Sequence, residues 1–452
     1  MSEPTGRRSP RLVAAAVATA LAAVLLTDLG VTVARSVAPA APAVSAVPRQ
    51  RVAPDTTQLR DPHPDASIQA LLDRRAAAVL HHDRAGFLAT VDPESLRFRA
   101  AQGQLFDALA QVPLSSWSYQ LDQGAPHTLP PGIAASYGAP AYAPAGVYLH
   151  YQLKGYDAQP TAALQFLTFV QRPTGWYLAS DTDLDSQGLT TTRELWDGGP
   201  VVVAHGRHAL VLGHPGSQSL MAALVAEADG DTPTVTQVWG SDWPQRVVVL
   251  VPSTQQELTQ MVGGGEDMSQ IAAVATAELP GRAGPSGAVG DRIIVNPANF
   301  AKLGSLGRRV VMTHEITHVA TRAETGTSTP DWLVEGFADY VGYHGTGVAV
   351  GDAARELKAE VVAGHLPQRL PTDADFAGAN ARLPQVYEEA WLACRLVAEH
   401  GDATLVALYR KVGTASGVSS QVALERGLRD VLNTTTAAFT AQWRAYVAQQ
   451  LS

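Results

Sequence analysis

At 452 residues, with 46% hydrophobic and 17% charged residues, the chain is long enough for two or more domains and too apolar to be intrinsically disordered. Its net charge of −9 at pH 7 argues against a nucleic-acid partner. A single cysteine, Cys394, excludes an internal disulfide and reads as a small buried apolar side chain.

At the N-terminus, Arg7, Arg8 and Arg11 precede an apolar run over residues 12–34, long enough to span a bilayer as a helix. Positive charge before the run predicts a single-pass cell-membrane protein, with residues 1–35 as anchor and the C-terminal domain extracellular. The rival reading is a cleaved signal sequence, with residues 12–26 as its apolar region and Val44-Ser45-Ala46 near the cleavage site, which would make the protein secreted. That site lies far from the apolar region, which favours the anchor. Residues 36–65 are rich in Pro, Ala and Val without either period, and read as an extended, flexible linker.

Residues 66–195 have a different texture. Ile68, Leu71, Leu72, Val79 and Leu80 have helical spacing, and Phe98, Leu105, Leu109 and Val112 predict another helix. Alternation follows at Val147, Leu149, Tyr151 and Leu153, then at Leu164, Phe166, Thr168 and Val170, and Trp176-Tyr177-Leu178 comes after a Pro173-Thr174-Gly175 turn. Helices followed by an antiparallel sheet make an α+β pattern. It resembles the cone-shaped nuclear transport factor 2-like fold, which implies either a ligand-holding mouth or a spacer module. His81-His82 reads as a solvated pair.

Residues 196–452 are expected to form the second domain. Residues 201–212 are strand-like, 217–228 carry Leu220, Leu224 and Val225 on one side of a helix, and 246–251 read as a buried strand. Residues 272–279 and 292–295 complete a small mixed sheet. Gly263-Gly264-Gly265 and residues 281–290 are loops without phosphate-cradle spacing, so no nucleotide is expected. His205 and His208 have no carboxylate or cysteine companion and read as structural.

His314-Glu315-Ile316-Thr317-His318 is the most informative stretch. On a helix capped at Ser305, its two histidines lie one turn apart on one face and can reach a single ion, while Glu315 beside them can act as general base towards water activated there. Thr329-Pro330 starts a second helix that stops near Gly345. It offers Glu335, 17 positions after His318, as third ligand and leaves a fourth position open. Asp339, one turn further, can fix the tautomer of a ligating imidazole.

HEITH followed by WLVEGFADY resembles the gluzincin zinc metallopeptidases, the thermolysin and aminopeptidase group, and most closely their peptidase MA-like branch. The resemblance covers roughly residues 235–450. It implies His314, His318 and Glu335 as Zn2+ ligands, Glu315 as base, Asp339 behind a ligand, and a peptide or protein substrate held by main-chain pairing along Arg292-Ile293-Ile294-Val295 or a neighbouring strand. The GxMEN segment of the aminopeptidases is missing; Asp291-Arg292-Ile293-Ile294-Val295-Asn296-Pro297 stands in its place, which departs from amine capture. The stretch Leu383-Pro384-Gln385-Val386-Tyr387 is similar to the segment that supplies a catalytic tyrosine, which implies that role for Tyr387.

After Gly345 helices are expected over residues 352–363, 384–400, 403–412 and 435–451. The sequence thus reads as an α+β, membrane-anchored, exported zinc metallopeptidase using Glu315 and Tyr387. The competing readings are a non-peptidase zinc hydrolase and an envelope binding or scaffold protein with a vestigial zinc site.

Overall fold

The computed structural model describes residues 11–13, 64–263, 271–278 and 289–452. The first part contains α1 (Pro64–Leu80), α2 (Arg84–Ala89), α3 (Leu96–Ala108), β2 (Leu114–Leu121), the short α4 (Pro131–Ser136) and strands β3 (Ala141–Tyr142), β4 (Val147–Leu153), β5 (Thr161–Gln165), β6 (Thr168–Arg172) and β7 (Gly175–Ser180). Helix α1 buries Ile68, Leu71, Leu72 and Val79, and β4 buries Val147, Leu149, Tyr151 and Leu153 as its alternation requires. The strands form two three-stranded sheets, ordered β2-β4-β5 and β3-β6-β7. The continuous sheet expected over residues 147–178 is therefore divided. The chain changes sheets at Phe166 and Leu167, where Thr191 Oγ1 accepts the Phe166 N–H that no ladder takes.

The second part contains β8 (Val202–His205), β9 (Ala209–Gly213), α5 (Gln218–Trp239), β10 (Val247–Val251), α6 (Gln255–Val262), β11 (Ala273–Glu278) and β12 (Val289–Val295). With β1 (Arg11–Val13) they make a six-stranded mixed sheet ordered β1-β11-β12-β10-β9-β8. Strand β10, Val-Val-Val-Leu-Val, is buried at every residue, as a central strand covered on both faces must be. Bidentate pairing of Arg292 with Asp157, at 2.7 and 2.9 Å with both side chains buried, joins this sheet to the turn after β4.

Two expectations are corrected here. The membrane localisation rested on a spanning helix from Leu12. Instead β1 pairs antiparallel with β11, Leu12 opposite Ala277 and Val13 opposite Thr276, and a backbone committed to that ladder cannot start the helix. Among the described residues no helix is long and apolar enough to cross a membrane. The remainder of the apolar run, the alternative cleavage site and the linker up to residue 63 lie outside the described residues. Secondly, Arg292 to Val295 do not form an edge: β12 lies inside the sheet between β11 and β10.

The rest is helical: the short α7 (Pro297–Phe300), α8 (Ser305–Thr321), α9 (Asp331–Tyr343), α10 (Val350–Ala353), α11 (Arg355–Val362), α12 (Leu383–Ala398), α13 (Asp402–Gly413), α14 (Ser420–Leu432) and α15 (Thr436–Leu451). After Gly345, helix α14 has no counterpart in the sequence reading, as β2, α2, α4 and α6 have none earlier in the chain. Residues 352–363 divide into two short helices at Ala354, whose φ of −114° and ψ of 51° leave the helical region.

Candidate metal centre

Helix α8 is buried from Val310 to Thr321 on every side, between the sheet, α5 and α9. Its cap is Gly304 rather than Ser305, which is the first helical residue. The exposed start is held by Arg308 to Glu227 at 3.3 Å and Arg309 to Asp231 at 3.6 Å, both acids on α5. The last turn is fixed by Tyr409, whose hydroxyl lies 2.7 Å from Thr325 Oγ1 and 3.4 Å from Thr321 Oγ1. Pro330 is the N-cap of α9, one residue earlier than the first-position proline expected. Gly345, at φ +68°, follows its end.

These two helices bring His314, His318 and Glu335 together. His314 Nε2 and His318 Nε2 are 2.9 Å apart, and Glu335 Oε2 lies 3.4 Å from the first and 3.5 Å from the second. A tetrahedral zinc site with bonds of about 2.0–2.1 Å has ligand-to-ligand edges of roughly 3.3–3.4 Å. Two of the three edges agree within 0.2 Å, and the third is shorter. Asp339 Oδ1 accepts from His314 Nδ1 at 2.8 Å, which turns the lone pair of His314 Nε2 towards His318 and Glu335. Glu335 Oε2 is buried without a hydrogen bond. Several lone pairs facing one another in a dry interior require a cation among them, so the donor set fits a divalent metal with an affinity for nitrogen.

The electrostatics agree. Burial opposes a charged His314, yet Asp339 and Glu335 outweigh it and hold the imidazole well above its ordinary pKa. Burial dominates at His318, whose pKa is lowered. For Glu335 burial works upward, but His318 and His314 together pull the carboxyl down to about 2. The site draws in positive charge, as a proton where no metal is bound.

Glu315 is fully buried next to His314, and neither carboxylate oxygen has a hydrogen-bond partner. Burial pushes its pKa up to about 7. Tyr387, on α12, is 1% exposed with an unpartnered hydroxyl, and its pKa is raised well above the ordinary value by burial and by Glu335 and Asp339. Gly336, next to Glu335, lets α12 approach: a Cβ there would overlap the Ala390 carbonyl. Arg322, four residues after His318 and on the same face, has no part in the sequence reading; its Nε donates to Asp291 Oδ1 at 2.9 Å. The continued spacing of four was the available signal.

Among solved structures the chain is similar to a mutant of a two-domain M1 zinc metallopeptidase bound to L-arginine, at 15% identity over 62% of this chain and 58% of that one, with a TM-score of 0.34. It is also similar to a mutant M1 zinc metallopeptidase from Deinococcus radiodurans bound to a Tyr-Ser-Ala substrate, at 14% identity over 73% and 61%, with a TM-score of 0.32. The chain spans about six-tenths of the length of either protein. No family model and no curated protein matches it.

Proposed function

We propose that the chain is a zinc-dependent metallopeptidase that hydrolyses peptide bonds. The observation that carries this reading is the convergence of His314, His318 and Glu335 at 2.9–3.5 Å beside a buried carboxylate, Glu315, that has no partner. Zinc held by the three would polarise the scissile carbonyl and lower the pKa of water to about 7. Glu315 takes the proton that water loses on attacking the carbonyl and returns it to the leaving amine. Asp339 holds the His314 ring by its Nδ1–H, and the Tyr387 hydroxyl donates to the developing oxyanion. Residues 196–452 would be the catalytic domain and 66–195 a separate module of nuclear transport factor 2-like shape. Metal analysis of the purified chain tests the ligand set: about one zinc per chain is expected. His318→Ala should remove it, and zinc retained at full stoichiometry in that variant would contradict the assignment.

A further inference from the structure

Strand β12 is interior, so the side of the sheet that can take an added strand near α8 belongs to β11. Residues 273–277 of β11 are all buried, and helix α8 packs against them. The main-chain N–H of Ala275 acts on the Glu315 carboxylate and favours its charged form, without closing a hydrogen bond. That N–H therefore leaves β11 on the side away from β12, and Glu315 stands at the outer edge of the strand.

Main-chain groups of alternate strand residues leave on the same side. The N–H and C=O of Ala277 consequently face outward as well, and there they meet the chain's own N-terminal strand. Leu12 lies opposite Ala277, with Arg11 opposite Glu278 and Val13 opposite Thr276. The pairing is antiparallel, so β1 runs towards Ala275, and Val13 lies one register position from it. Ala273, Val274 and Ala275 have no strand on that side among the described residues. An extended peptide that reaches Glu315 by pairing with β11 has to use the main chain of Ala275 and, two positions on, of Ala277. Leu12 already holds the second. Outward-facing amides of a buried edge recruit backbone partners, and a ladder of three residues is short enough to be displaced.

We propose that β1 is an internal competitor of the substrate: residues 11–13 take the β11 edge that an extended peptide needs, and cleavage of such a peptide requires their displacement. Competition by β1 rests on the metallopeptidase reading and adds how that site is regulated. Because it works through main-chain pairing, it sets no side-chain preference on the competing peptide.

Two proline variants of the full, zinc-loaded chain test it. Leu12→Pro removes the N–H that faces Ala277; Val13→Pro removes one that points away and controls for proline itself. Hydrogen exchange over residues 275–278, followed by mass spectrometry, reads the ladder without any turnover. Exchange about tenfold faster in Leu12→Pro is expected, with Val13→Pro close to the wild type. Casein, an unfolded protein, serves as the extended substrate. Leu12→Pro should cleave it with a KM lowered about tenfold, and a synthetic peptide of residues 8–16 should restore the inhibition competitively. Equal exchange in all three proteins, or equal acceleration by both prolines, would overturn the pairing. Faster exchange with an unchanged KM would overturn the competition and leave the peptidase reading standing. Faster exchange with no casein cleavage by any of the three would overturn the peptidase reading, and the competition with it.

Discussion

Asp339 and Tyr387 flank the same centre, but they touch different partners and should fail differently. Asp339 already binds His314 Nδ1 at 2.8 Å. Asp339→Ala should weaken zinc affinity by roughly 10- to 100-fold, and excess zinc should restore part of the activity. The Tyr387 hydroxyl binds nothing in the resting protein. Tyr387→Phe should leave zinc affinity unchanged and lower kcat by about 100-fold, with little change in KM. Metal titration and steady-state kinetics separate the two. A fully active Tyr387→Phe protein would show that another group stabilises the oxyanion.

Between elements, the contact of α9 with α12 depends on a missing side chain. A Cβ on Gly336 would overlap the Ala390 carbonyl and press on Cys394 Sγ at 3.0 Å, and backbone cannot yield as a flexible side chain does. Gly336→Ala should therefore cost about 1–3 kcal/mol despite the better helix propensity of alanine, seen as a lower melting temperature. An unchanged or higher value would show that the helices can part freely. How much was legible in the sequence also differs by element. Strand β4 announces itself by an alternation that matches its burial and β10 by an unbroken apolar run, while the two motif helices were legible from HEITH and WLVEGFADY rather than from a period. Helix α14 carries an apolar stripe as well, burying Ala423, Leu424, Gly427 and Leu428, but the sequence reading does not include it. His314 and His318 were legible from a spacing of four along one helix, and Glu335 from the next helix.

Across the whole molecule, one apolar core runs through both halves, and the buried Arg292–Asp157 pair joins them. A titratable polar pair ties elements together within the second half. His214 Nδ1 faces the Pro200 carbonyl at 2.8 Å and its Nε2 faces Glu257 Oε1 at 2.6 Å, an arrangement of two acceptors that favours the charged imidazole. Glu257 raises the His214 pKa above 6.5. Burial pushes the Glu257 carboxyl upward, but His214 and the Ser253 N–H outweigh it and hold its pKa below 4.5. The imidazolium's contribution to stability is complete below the ordinary 6.5 and is lost as pH rises through the raised folded value; the carboxylate's is complete above 4.5 and is lost as pH falls through the lowered one. Wild type should therefore exceed His214→Gln in melting temperature most at about pH 5–6, and the gap should shrink by about pH 9. A gap independent of pH would show that the pair contributes through packing alone.

The account as a whole stands on Glu315 acting as the base for peptide hydrolysis beside the three ligands. The most direct measurement is mass-spectrometric mapping of cleavage in a diverse peptide library by the zinc-loaded chain, alongside Glu315→Gln, which keeps the side chain's size but cannot accept the proton. The account predicts discrete cleavages with the wild type, abolished by chelator, and at least about 100-fold slower turnover in the Glu315→Gln protein with its zinc retained. No cleavage by the zinc-loaded wild type, or equal cleavage by Glu315→Gln, would contradict it.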